Sequence, residues 1–259
     1  MAAKFRITVA HGDGAYARQA VAEAWDELDR LEARLSRFIP WSDIARLSRL
    51  AAGQEAVIHP DTWQCLSIAA RVEDRTSGAL DVAYRMRPAH GSGRLWALDA
   101  ERPAVRALVS GVQLDLGSLG KGFALDRLAR LLADWDLNAV LLDAGQSTVL
   151  AGEAPPGQTG WPVRLGDGAG GLRLELCRMA IAASGTAIRG DHIFDPRAAR
   201  PVRTAARVWV LAETAAEADA LSTALLVLGR SGARALCGRR GIQAYWQEGP
   251  TEPPRALTL

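Results

Sequence analysis

Between Val112 and Trp135 the chain passes from a short apolar run, through glycines, into a helix, and this passage limits the folds open to it. Leu114-Asp115-Leu116-Gly117-Ser118-Leu119-Gly120-Lys121-Gly122-Phe123 sets an extended piece over 112–116 ahead of a turn at Gly117, Ser118 and Gly120. Leu125, Leu128, Leu131, Leu132 and Trp135 then recur at spacings of three and four, the repeat of a helix with one apolar face. A helix start presents free backbone N–H groups and the positive end of its dipole, so the glycine turn suits a phosphate, with Lys121 adding a mobile charge. An ordinary strand-to-helix turn reads the same way. A P-loop is excluded, because it needs Gly at 115, where Asp stands, and Ser or Thr at 122, where Gly stands.

Two later stretches carry polar chemistry. Thr214-x-x-Glu217 is a capping box, and the helix it opens runs through Asp219, Leu221, Thr223, Leu225 and Leu228 to an expected stop at Gly229. Asp219 and Thr223 lie four apart and share a helix face. A carboxylate and a hydroxyl offer hard oxygens that suit Mg²⁺ rather than zinc or copper, although a solvated polar face looks identical in sequence. The run Asp191-His192-Ile193-Phe194-Asp195-Pro196-Arg197 collects imidazole, carboxylates and guanidinium before a proline.

The order D-L-G-x-x-x-K-G-x-x-x-D (Asp115 to Asp126), S-G (Ser184-Gly185), H-I-x-D-P-R (His192 to Arg197) and A-D-x-x-S-T (Ala218 to Thr223) resembles the ApbE family, the FAD:protein FMN transferases. The resemblance implies an α+β fold related to the T-fold, with two packed lobes and a largely antiparallel sheet. It implies one such domain over 1–247, while Pro250, Pro253 and Pro254 lead to the expectation of a loosely held tail over 248–259. It also implies attack by a Thr or Ser hydroxyl of an acceptor protein on the FMN-side phosphorus of FAD, with AMP leaving and Mg²⁺ assisting. Carried over by motif, Asp219 and Thr223 fall on the metal with Ser118 as a third oxygen. Asp115 and Lys121 hold the dinucleotide, with Asp81 and Val82 as further contacts, and Phe194 lies beside the flavin ring. His192 takes the acceptor's proton, or else fixes the Asp195-Pro196 turn. Phe38, in Ser36-Arg37-Phe38-x-x-x-Ser42, matches an aromatic that lies against the dinucleotide, or else packs in the core.

Several positions depart from the family pattern. Ser77 to Ala83 starts a known segment, but Ala83-Tyr84-Arg85-Met86 replaces its threonine and G-P-L turn, and a loop expected over 87–103 follows. Ala144-Gly145 stands for a glycine pair, and only Thr186 to Asp191 separate Gly185 from His192, where relatives carry a longer, tyrosine-bearing insertion. These changes keep open a second reading, a protein that binds FAD or another nucleotide without transferring FMN.

Composition narrows the class. An apolar fraction of 49%, a charged fraction of 23% and a net charge of +2 over 259 residues suit a globular protein and give no reason to expect nucleic acid. Cys65, Cys177 and Cys237 lack metal-ligand spacing and read as reduced, mostly buried thiols. The first residues read directly as a strand with no apolar leader, and no run is long enough to span a membrane, so a cytoplasmic chain is expected.

Phe5 to Ala10 leads through Gly12-Asp13-Gly14 into a helix whose expected stripe is Val21, Trp25, Leu28, Leu31 and Leu35. Gly12-x-Gly14-x-x-Ala17 has the local context of a dinucleotide fingerprint, but Asp29 and Glu32, at the right distance, fall inside the same helix. Gly166-x-Gly168-x-x-Gly171 lies between two strand-like runs and reads as a hairpin loop. Helices at 43–50 and 60–76 are expected, with strands near 139–142, 148–150, 162–165, 172–176, 179–183, 208–211 and 242–246. The short connections between these strands favour antiparallel pairing.

Overall fold

Short turns join most neighbouring strands, and the sheet they build is antiparallel. The computed structural model describes residues 3–91, 93–166, 170–186 and 193–257. Strand β1 (Phe5–Val9) leads into the long helix α1 (Gly14–Leu35) and the short α2 (Asp43–Leu47). Strand β2 (Glu55–Val57) and helix α3 (Pro60–Arg75) precede a 3-10 turn (Tyr84–Met86) and the single turn α4 (Arg87–His90). Strands β3 (Trp96–Leu98) and β4 (Ala104–Ala107) come before helix α5 (Gly120–Asp134). The second half supplies β5 (Val140–Ala144), β6 (Thr148–Ala151), β7 (Trp161–Leu165), β8 (Leu172–Leu176) and β9 (Met179–Gly185). It ends with β10 (Phe194–Asp195), β11 (Arg200–Pro201), β12 (Arg207–Ala212), helix α6 (Ala215–Arg240), β13 (Gln243–Gln247) and β14 (Arg255–Ala256).

Among the described residues the main sheet runs β1-β5-β6-β9-β12-β13-β14, and β2-β4-β3, β7-β8 and β10-β11 form smaller ones. Helices α1 and α5 cover one face of the main sheet. Ala20 and Ala24 of α1 and Leu125, Leu128 and Leu132 of α5 meet Val140 and Leu142 there. The β7–β8 hairpin covers another part, with Trp161, Leu165 and Leu176 against Ile181 and Trp209. Helices α3 and α6 share a larger cluster with the small sheet, through Leu66, Val72, Val105, Leu221 and Leu225. Each such leucine contributes about 1.5–3 kcal/mol when fully buried.

The α+β expectation holds, and several local readings change. Asp13 caps α1, its carboxylate accepting from Ala15 N at 2.9 Å and Tyr16 N at 3.1 Å. That side chain fills the helix end a dinucleotide phosphate would need, and β1 pairs antiparallel with β5 rather than opening a parallel unit. Helix α1 buries Ala20, Ala24, Leu31 and Leu35, while Trp25 is exposed. Small side chains let the helix lie close to its neighbours, which rotates the tryptophan outward. Helix α6 breaks at Gly229, where φ is 69°, but resumes and ends only at Gly241 in the left-handed conformation. The loop expected over 87–103 contains α4 and β3, where Trp96 is buried.

The segment after Gln247 turns back as a strand instead of trailing loosely. Tyr245 and Trp246 pair with Ala256 and Arg255, and Leu257 is buried. Among the described residues the cysteines are all unpaired, with Cys65 and Cys237 buried and Cys177 exposed. No helix among them is long and apolar enough to cross a membrane.

Candidate functional site

The run 112–116 joins no sheet among the described residues; Asp115 N–H donates to the Val82 carbonyl at 2.8 Å and pins it beside the Asp81 segment. Helix α5 begins at Gly120 and meets the start of α6 at Gly122. A Cβ at 122 would stand 2.1 Å from the Ala215 carbonyl oxygen, so only glycine permits this approach. Asp126, one turn on, accepts from Ala215 N at 2.7 Å and Ala216 N at 2.9 Å and so caps α6 from another helix. Burial pushes the Asp126 carboxyl up to about 6, against the pull of those two N–H groups.

This crossing brings Asp219 to the start of α5. Its carboxylate accepts from Gly122 N at 3.3 Å and from Lys121 Nζ at 3.2 Å and 3.5 Å. The helix end and the lysine expected to cradle a phosphate are therefore engaged by the chain's own carboxylate. Asp219 is not part of a solvated face: it is 3% exposed. Hydroxyl groups gather beside it. Ser184 Oγ of β9 lies 2.8 Å from Ser222 Oγ and 3.2 Å from Thr223 Oγ1, and Thr223 Oγ1 donates to the Asp219 carbonyl at 3.4 Å.

Asp219, Thr223, Ser184, Ser118 and Lys121 line one cavity of about 920 Å³ together with Asp81, Asp115 and Phe194. That volume lies at the upper end of small-molecule sites. One wall is aromatic: the Tyr84 and Phe194 rings stand 5.6 Å apart, and Tyr84 Oη donates to Asp115 Oδ2 at 3.2 Å. Burial, reinforced by the Asp115 charge, raises the Tyr84 phenol and keeps it a donor. Asp115 also meets Arg37 Nε at 3.1 Å and Arg85 Nε at 3.2 Å, both on Oδ2. The lining also includes Gln146, in the left-handed conformation with φ 60°, and Trp209, over which Arg207 stacks at 5.0 Å.

Other residues singled out from sequence lie elsewhere. Val82 is in the core, and Asp81, though it reaches the cavity, is bound by Arg87 and accepts from Ala83 N at 2.7 Å. Phe38 is 76% exposed, which removes the core-packing alternative; the Arg37 guanidinium lies 4.0 Å from its ring centre. His192 and Asp191 lie outside the described residues. Tyr84 and Arg85 were legible in sequence only as a departure from a pattern, and the signal to find them was an aromatic and a guanidinium directly after the Asp81 segment.

The donor set fits a hard cation with an incomplete protein shell. Asp219 supplies one buried carboxylate and Thr223 and Ser118 supply hydroxyls on the same cavity, and Mg²⁺ is commonly held by one or two carboxylates with the remainder from water and substrate phosphate. Among the described residues no three His, Cys, Asp or Glu cluster as a metal cage.

An antiparallel sheet, helices crossing at a glycine and a cavity of about 920 Å³ lined by both polar and aromatic side chains define the class, an α+β protein with a large cleft. The sequence profile of the ApbE family matches residues 1–246, and the chain belongs to that family. Over 174 residues it is 34% identical to an FAD:protein FMN transferase of Rhodobacter capsulatus, a match covering 60% of this chain and 31% of the relative. Another protein of that name, from Klebsiella pneumoniae strain 342, is 24% identical over 286 residues, covering 93% of this chain and 80% of the relative. The chain thus spans under a third of the first relative and most of the second. In fold it is similar to the flavin transferase ApbE from Vibrio cholerae, with a TM-score of 0.87, 18% identity and coverage of 99% of this chain and 93% of that one.

Proposed function

We propose that the protein transfers FMN from FAD to a Thr or Ser hydroxyl of an acceptor protein, releases AMP, and requires Mg²⁺. The observation that carries this reading is the Asp219–Lys121 pair, which with Thr223 and Ser118 lines a cavity also lined by the Tyr84–Phe194 pair. Family membership and the names of its relatives support the same reaction.

In this reading the hydroxyl oxygen bonds to the FMN-side phosphorus, the bond from that phosphorus to the AMP oxygen breaks, and the hydroxyl proton passes to His192. Phosphoryl chemistry of this kind depends chiefly on positioning and charge neutralisation. Asp219, Thr223 and Ser118 would hold Mg²⁺, which when bound neutralises charge on the pyrophosphate. Lys121 leaves Asp219 and turns to a phosphate oxygen. Tyr84 and Phe194 hold the flavin ring, and Asp115 accepts from a donor of the dinucleotide.

A second reading, nucleotide binding without transfer, takes its support from the Lys121–Asp219 ion pair, which already neutralises the carboxylate in the free chain. Incubation with FAD, Mg²⁺ and an acceptor peptide, with EDTA as control, separates the two. Metal-dependent AMP together with flavin-labelled peptide supports the transferase. Tight FAD binding with neither product, unchanged in Asp219→Ala, supports the binder.

A further inference from the structure

Two guanidinium groups share one oxygen of Asp115, a carboxylate that lines the cavity: Arg37 Nε and Arg85 Nε lie 3.1 Å and 3.2 Å from Asp115 Oδ2. Two cations against one anion leave positive charge over. Neither side chain is deeply buried, at 33% and 42% exposure, so each can swing without unpacking the core. Each also rests on a ring, Arg37 at 4.0 Å from the centre of Phe38 and Arg85 at 5.4 Å from that of Tyr84, which steadies the planar groups beside Asp115. Arg85 and Tyr84 stand where the chain departs from its family's pattern. Meanwhile Lys121 and the start of α5 are occupied by Asp219, and need a partner exchange before they can receive an anion.

We propose that Arg37 and Arg85 form a phosphate subsite beside Asp115 at the cavity's edge, held by that carboxylate in the free protein and transferred to a phosphate group when the ligand enters. Arginine suits this role because its planar fork can pair two phosphate oxygens at once. The exchange uses both halves of the ion pair: the guanidinium groups go to the phosphate, and Asp115 is released to accept from a hydroxyl or ring N–H of the same ligand. The identity of that ligand as FAD rests on the function proposed above; the anion subsite does not.

The test compares wild type, the double variant Arg37→Gln/Arg85→Gln, and Asp115→Asn, with thermal melting as a check on folding. Sodium pyrophosphate is the first probe, titrated at fixed ionic strength by calorimetry. Binding to wild type should weaken ten- to hundredfold in the double variant and tighten several-fold in Asp115→Asn, where the guanidinium groups are already released. A purely structural ion pair would not give the tightening. Equal pyrophosphate affinity in all three proteins, or no binding in any, overturns the proposal. Riboflavin and FAD form the second pair of probes. The double variant should lose FAD affinity by the same factor and keep riboflavin affinity; equal loss of both overturns the subsite. Failure of wild type to bind FAD, with an arginine-dependent pyrophosphate site intact, removes the flavin reading and leaves the subsite standing.

Discussion

Replacing Gly122 by alanine tests whether the crossing of α5 and α6 organises the site. The added methyl would stand 2.1 Å from the Ala215 carbonyl oxygen, 2.4 Å from its carbon and 2.7 Å from Ala216 N, all backbone atoms that no rotamer change can move. Helix α6 must retreat by about 1 Å, and overpacking of that kind costs ~1–3 kcal/mol. The retreat lengthens the 2.7 Å and 2.9 Å bonds from Ala215 and Ala216 to Asp126, and losing bonds to a charged group costs about 2 kcal/mol more. Alanine's helix preference over glycine returns ~1 kcal/mol. The net loss of ~2–4 kcal/mol lowers the melting temperature by roughly 5–15 °C for a chain of this size. Because Gly122 N also donates to Asp219, the FAD affinity expected of the proposed transferase should fall beyond what unfolding explains, measured by calorimetry on folded protein below the transition. A melting temperature equal to or above wild type, as an uncrowded helical glycine would give, refutes the reasoning.

Glu73 offers a pH test: burial pushes it up to about 7, aided by the Asp81 charge and opposed by Arg87 at 3.7 Å. A carboxyl raised above its unfolded value of 4.5 binds its proton more tightly when folded, so its contribution to stability is highest in acid and falls as pH rises through that interval, by up to about 3 kcal/mol. Urea unfolding of Glu73→Gln should therefore gain on wild type between pH 5 and pH 8, and an identical gap at both values would count against the assignment. Tyr84→Phe keeps the ring against Phe194 and removes the bond to Asp115, so FAD affinity should drop only a few-fold while Tyr84→Ala loses ten times more; equal losses would deny the ring a role. In the proposed transferase, Asp219→Ala or EDTA should abolish AMP release, with turnover by chromatography as the readout.

The chain declared its class through the spacing of its strands and the two capped helices, because alternation, caps and turn glycines act locally. Thr214 opens α6 as its capping box implies, but the stop read at Gly229 is only a kink, and the helix runs on to Gly241. Local signals say nothing about which partner occupies a helix end. The Gly117–Lys121 turn looked open in sequence, yet Asp219, which answers it, comes from a helix 97 residues away. Asp126 was visible in a motif, but its task of capping α6 is a property of the crossing. Trp25 misled because hydrophobicity alone ranks it above alanine, whereas close helix packing favours Ala20 and Ala24. Phe38 kept two readings until its 76% exposure set aside the core.

The same long-range junction orders events during synthesis. Strands β1, β5, β6 and β9 can pair once residue 185 has emerged, but the floor of the cleft needs α6, which begins at Ala215. Closing a loop of that length costs entropy before any contact repays it. A nascent chain exposed only as far as about residue 200 would thus carry β1, β5, β6 and β9 of its main sheet and no complete ligand site, and ligand capture would mark the moment the second crossing helix arrives.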